Sequence, residues 1–173
     1  IDEAYSIDDM DKIIQNKISN SNSISTIEGF NKELDILVKK SNLEILDARK
    51  ILDDLRVIKS EEEIKIMQDA AILASNAHIE AIKKTYPGIG EWTIQSVIES
   101  HFSANQSCPS YSSIVGGGDN ATILHYNSNN MKISDGDLVL VDAGCEISGY
   151  ASDITRTWPV NGKFSDAQKE IYN

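Results

Sequence analysis

The hydrophobic period of this chain switches after Phe102. Between Ser60 and Phe102 apolar residues recur every three or four positions; beyond Phe102 they fall into short runs punctuated by glycine. A period near 3.6 marks amphipathic helix and short apolar runs mark strands, so helices come first and strands afterwards. That order predicts an α+β arrangement with helices packed on one face of an antiparallel sheet. A parallel βαβ arrangement is the weaker reading, because no helical period separates the last three strands.

The first of these helices announces itself at "SEEE". Ser60 and Glu63 have the spacing of a capping box, and three acids suit the positive end of the helix dipole. Ile64, Met67, Ala71, Ala74, His78 and Ile82 predict one buried face running down to "KKTYPG", where Lys83 and Lys84 suit the C-terminal end. A second helix follows Pro87-Gly88, with Ile94, Val97, Ile98 and Phe102 as its stripe. Residues 1–55 lean to helix, with a boundary near Leu55. There "NKISNSNSIS" reads as a loop and Ile27, Phe30, Leu34 and Leu37 as the apolar side of a helix.

Three strand segments follow: "YSSIVGGGDNATILHY", "DLVLVDAG" and "YASDITRTWPV". Both faces of "DLVLVDAG" are apolar, which predicts a central strand covered on both sides. The triple glycine at 116–118 lacks the Gly-Lys-Ser/Thr of a phosphate loop and is read as opening no helix. If a hairpin turns at Ser148 and Gly149, Asp142 and Asp153 come to opposite or nearly opposite positions. Directly opposed β-carbons lie about 5 Å apart, and two carboxylates there repel by about 3 kcal/mol at an effective dielectric of roughly 20.

Three things can offset that repulsion: a retained proton, an arginine or a cation. Neither aspartate sits in the Asp-Thr/Ser-Gly loop of aspartic proteases. Arg156 is an odd number of residues from Asp153 and so points to the other face. A hard divalent ion held by oxygen ligands fits best. A register shifted by one residue would turn the two side chains apart, so spacing alone leaves an ordinary pair of turn-flanking aspartates open.

Composition narrows the partners. The 173 residues carry a net charge of −11, and the cations are scattered among carboxylates, which argues against a nucleic-acid face. No apolar run reaches the roughly 20 residues of a membrane span, and "IDEAYSIDDMDK" lacks the order of a signal peptide. Two cysteines, Cys108 and Cys145, outside any Cys-x-x-Cys pair, point to a reducing cytoplasm. The first residue is Ile, which suggests a piece of a longer protein.

The motifs "LRVIKSEEEI", "PSYSSIVGGGDNATILHY" and "DGDLVLVDAGCEISGYASDITRTWPVNGKFSDAQKEIY" together resemble the Xaa-Pro aminopeptidases (aminopeptidase P). The resemblance implies the first half of a pita-bread (creatinase/aminopeptidase) fold over residues 56–173, with helices on a curved antiparallel sheet. Residues 1–55 would be the C-terminal part of an N-terminal creatinase-like domain. It further implies two divalent metal ions, usually Mn²⁺, held in the order Asp, Asp, His, Glu, Glu. Asp142 matches the first ligand, on one ion, and Asp153 the second, bridging both. His125 in "ILHY" matches a histidine that lines the substrate site and helps handle the scissile-bond proton or tetrahedral intermediate; without the family context it would read as a strand-end histidine bonded to backbone.

The implied reaction is metal-dependent hydrolysis of the N-terminal residue from peptides with proline second, in a cytoplasmic enzyme that is a dimer or tetramer at full length. The remaining His and two Glu are expected beyond Asn173, since Glu170 matches no ligand position. His78 and His101, on helices, are read as structural. This stretch alone is therefore expected to be inactive and to bind Mn²⁺ weakly. Prolidase, methionine aminopeptidase and metal-free creatinase share the fold, and so do non-catalytic pita-bread modules that bind proteins. The two aspartates count against the last.

Overall fold

The computed structural model describes residues 4–173, which cluster into two compact units parting between Lys59 and Ser60. No helix among the described residues is long and apolar enough to cross a membrane. In the first unit, α1 (Met10–Ser19), β1 (Ser23–Thr26), α2 (Lys32–Lys39), β2 (Glu44–Asp47) and α3 (Arg49–Val57) succeed one another. The strands β1 and β2 pair in parallel, Ser23 opposite Glu44. The segment read as a loop thus contains the end of a helix and a strand. Backbone pairing with β2 outweighs the turn preference of its Ser and Asn residues. The helix expected from Ile27 begins only at Lys32, where the Asn31 side chain accepts from the N–H groups of Glu33 and Leu34. Phe30, left outside it, is 87% exposed.

The second unit begins at Ser60, which caps α4 (Glu61–Lys84). The Glu63 N–H donates to Ser60 Oγ at 3.2 Å and the Ser60 N–H to Glu63 Oε2 at 2.7 Å, closing the expected capping box. Ser60→Ala is expected to lower the stability of this unit by about 1 kcal/mol, measured by urea unfolding. An effect near zero would mean the box is solvated and idle.

Helix α4 buries only part of the face its apolar period suggests, Ala74 and His78, and extends it over neighbouring alanines. Ala70, Ala74, Ala77, His78 and Ala81 are buried, while Ile64, Met67, Ala71 and Ile82 are exposed. Short side chains are what let the helix lie close on the sheet, and Cys145 Sγ reaches the Ala70 carbonyl at 3.3 Å. The second helix, α5 (Glu91–Ala104), buries Ile94, Ile98 and Phe102 as expected.

Two small antiparallel sheets lie against these helices. One is β3 (Cys108–Pro109), β6 (Cys145–Ile147) and β7 (Tyr150–Ala151); the other has β5 (Leu138–Ala143) between β4 (Ile114–Gly117) and β8 (Ile154–Pro159). α6 (Asp166–Tyr172), capped by Ser165, ends the chain. Along β5 burial alternates: Val139, Val141 and Ala143 have no exposed surface, and Leu138, Leu140 and Asp142 are half-buried. The strand is central, and the face bearing Asp142 is the more open one, bordered near Leu138 by α6.

Two of the three glycines are there for close packing, and the third, Gly118, for its left-handed φ of +55°. A β-carbon on Gly116 would lie 2.9 Å from the Ala121 backbone, and one on Gly117 2.5 Å from Ile133 Cγ1. They lead into a 3₁₀ turn, Gly118–Thr122, which the sequence reading did not anticipate.

Candidate metal centre

The hairpin expected at Ser148-Gly149 is present, with φ of +50° and +83° at the two turn residues, as a two-residue turn with both central residues left-handed requires. The pairs Glu146↔Ala151 in one sheet and Asp142↔Thr155 in the other keep the same register offset across the break at Gly144 and Ser152-Asp153. Asp153 stands two residues before Thr155, so it is the diagonal neighbour of Asp142 on the same face. Asp142 is the penultimate residue of β5, a strand rich in valine and leucine; Asp153 sits just before β8 begins.

A third residue joins them. Tyr111, between β3 and β4, brings its hydroxyl 2.5 Å from Asp142 Oδ1 and 2.9 Å from Asp153 Oδ1. A phenol has one proton, so it donates to one carboxylate at a time. Burial first, and then the two carboxylates, hold the Tyr111 phenol well above its ordinary pKa. It therefore stays a neutral donor between two acceptors. Arg156 offers no compensation: it faces Val141 across the ladder, is exposed, and donates to the Thr155 carbonyl at 2.8 Å. Among the described residues no cation forms an ion pair with either aspartate. Two hard, anionic oxygen donors served by a single proton form a donor set suited to a divalent cation.

These side chains open into a cavity of about 320 Å³, lined by Tyr111, Ser112, Ile114, His125, Asn127 and the two aspartates. Thus Asp142, Asp153 and His125 come together, although His125 is not at a strand end. It lies in an exposed turn after the 3₁₀ segment, with φ of +55°. His78 is buried, its Nδ1 2.9 Å from the Ala74 carbonyl and its Nε2 without a partner. His101 is half-buried in the last turn of α5, and neither lines the cavity. Among the described residues no group of three or more His, Cys, Asp or Glu converges.

Tyr111 was absent from the sequence-based set. It stands inside "PSYSS", but its link to Asp142 across 31 positions depends on β4 pairing with β5, where Ile114 faces Asp142. No local pattern carries that information.

The fold agrees with what the chain is similar to. The sequence profile of metallopeptidase family M24 matches residues 65–173, and the chain belongs to that family. Its relatives include an Xaa-Pro aminopeptidase of Haemophilus influenzae, 46% identical over 99% of this chain and 41% of the relative. That of Escherichia coli is 47% identical over 75% of this chain and 30% of the relative.

Among solved structures, a variant of Escherichia coli aminopeptidase P in complex with substrate superposes with a TM-score of 0.94 at 36% identity. It is matched over 99% of this chain and 42% of its own length. The aminopeptidase PepP of Pseudomonas aeruginosa gives 0.93 at 39% identity, over 99% and 42%. The fold is α+β and matches the corresponding part of the pita-bread aminopeptidases. The chain spans about two-fifths of the length of these proteins.

Proposed function

We propose that the protein containing this chain is a metal-dependent aminopeptidase that releases the N-terminal residue from peptides with proline in second position. The observation carrying this reading is the meeting of Asp142 and Asp153 at one phenol proton, on the more open face of β5 and beside His125. Asp142 and Asp153 would contribute to holding a pair of divalent ions, Mn²⁺ by resemblance. When bound, such ions supply Lewis acidity and lower the pKa of water toward neutrality.

The chain's own residues have separate tasks. Tyr111 donates to the carboxylates and keeps both side chains turned to the cavity. Ile114 gives an apolar wall. His125, at the mouth, can donate an imidazole N–H to the peptide group of the substrate. Proline in the second position makes the scissile amide tertiary, with no N–H of its own, so a site that does not require that proton can select it. Residues 1–55 we take as part of an N-terminal creatinase-like domain, and the compartment as cytoplasmic, in keeping with the free thiols of Cys108 and Cys145.

The test uses the full-length protein loaded with Mn²⁺. It is expected to release the first residue from an Xaa-Pro-Xaa tripeptide, at least about 10²-fold faster than from the Xaa-Ala counterpart, with the activity lost on chelation and restored by Mn²⁺. Equal rates on both peptides would refute the specificity. Activity untouched by chelator would refute the metal. Cleavage confined to dipeptides would replace this reading by that of a prolidase.

A further inference from the structure

Glu91 is the first residue of α5 and has no exposed surface. An acid in the first helical turn ordinarily sits in water; this one is wholly enclosed and accepts four hydrogen bonds. Oε1 takes the Gly117 N–H and the Asn120 side-chain amide, each at 2.9 Å. Oε2 takes the Tyr126 hydroxyl at 2.8 Å and the Met131 N–H at 3.0 Å. All four donors belong to the end of β4 and the loop after it. A buried carboxylate is tolerated when its lone pairs are filled in this way.

The same side of α5 continues the pattern one and two turns on. Gln95 accepts from the Asn129 amide at 2.9 Å, and Glu99 accepts from Ser113 Oγ at 2.9 Å. Asn129, 3% exposed with φ of +45°, also takes the Val115 N–H at 2.9 Å and donates to the Ser113 carbonyl at 2.8 Å. Residues 91, 95 and 99 therefore form a polar stripe beside the core stripe of Ile94, Ile98 and Phe102. It binds the loop at Asn120, Tyr126, Asn129 and Met131.

His125 lies inside that loop, between the anchors at Asn120 and Tyr126. Its own ring has no hydrogen-bond partner among the described residues, and its backbone is left-handed, where a non-glycine residue stays only if its surroundings hold it. The position of the imidazole is thus set by its neighbours in the chain. We infer that Glu91 is a positioning residue: acting through Tyr126 and Asn120, it holds the His125 turn over the Asp142–Asp153 pair. The inference rests on the functional reading of His125 given above.

The experiment uses the full-length, Mn²⁺-loaded protein with Tyr126→Phe, which removes one hydroxyl from the clamp, and Glu91→Gln beside it. Tyr126→Phe also stands in should Glu91→Gln fail to fold. Tyr126→Phe is expected to lower kcat on an Xaa-Pro peptide about tenfold with KM within about twofold. In a His125→Ala background the same change should have no further effect. Amide exchange in residues 120–131 should quicken about tenfold, with β5 unchanged.

Multiplicative losses from Tyr126→Phe and His125→Ala, or unaltered exchange in that loop, would overturn the clamp while leaving the peptidase reading intact. A His125→Ala protein as active as the parent would overturn both, because the clamp would then be holding a residue without a task.

Discussion

Gly144→Ala is expected to destabilise the second unit by at least about 3 kcal/mol. A β-carbon at this position would stand 1.7 Å from the Ser152 carbonyl oxygen, 2.6 Å from its carbon and 2.8 Å from Ser110 Oγ. The backbone cannot yield cheaply there. The Ser152 N–H donates to the Cys145 carbonyl at 2.8 Å, its hydroxyl accepts the Cys145 N–H at 3.0 Å, and the Ser110 N–H donates to the Gly144 carbonyl at 3.0 Å.

Gly144 is the point where β5 passes into β6, two residues beyond Asp142 and packed against Ser152, the residue before Asp153. Any displacement there separates the two carboxylates, so the loss should appear in metal binding as well as in unfolding. Gly149→Ala is the control. Nothing lies within 4 Å of its added carbon, and only its φ of +83° is unfavourable, worth about 1–2 kcal/mol. Denaturant unfolding of both variants decides the matter. Equal losses would mean that close approach at Gly144 has been overvalued.

Asp142→Asn should act in opposite directions with and without metal. In the metal-free protein the two carboxylates share one phenol proton, their Oδ1 atoms 2.5 and 2.9 Å from the same hydroxyl oxygen. Their repulsion, about 3 kcal/mol at an effective dielectric of 20, is reduced by solvent because Asp153 is exposed. Removing one charge lets Tyr111 donate to Asp153 alone and accept from the new amide. The metal-free variant is therefore expected to gain about 1 kcal/mol, a cost that functional sites commonly carry.

With Mn²⁺ in excess the order reverses. The full-length parent should be stabilised by metal, and the variant should lose that shift together with at least about 10³-fold in kcat/KM. Thermal unfolding with and without Mn²⁺ reads both halves. A metal-free Asp142→Asn protein less stable than the parent would show that the two carboxylates carry no net repulsion in the absence of metal.

How much of this was legible depended on the range of the interaction concerned. The capping box at Ser60 and Glu63 was readable because both partners lie within one helical turn. The two-residue turn at Ser148-Gly149 was readable for a similar reason, and from it the parity that puts Asp142 and Asp153 on one face. Strand alternation keeps that parity however the sheet packs, provided the register does not slip.

The buried face of α4 was legible only at Ala74 and His78. Its large apolar residues, Ile64, Met67 and Ile82, mark a stripe by hydropathy, but the helix approaches the sheet along its alanines because steric fit outranks hydrophobicity where backbones come close. Glu91 was hidden. By sequence it is one more acid at a helix start, and only the return of residues 117–131 to that helix encloses it.

By itself, then, the sequence determined the order of helices and strands, the helix start at Ser60 and the shared side of the two aspartates, since each follows from backbone periodicity over a few residues. Tertiary structure alone decided that Tyr111 bridges the pair, that Gly144 must lack a side chain and that Glu91 lies buried beneath the His125 loop. Those depend on which distant segments meet, and that is set by packing the whole unit at once.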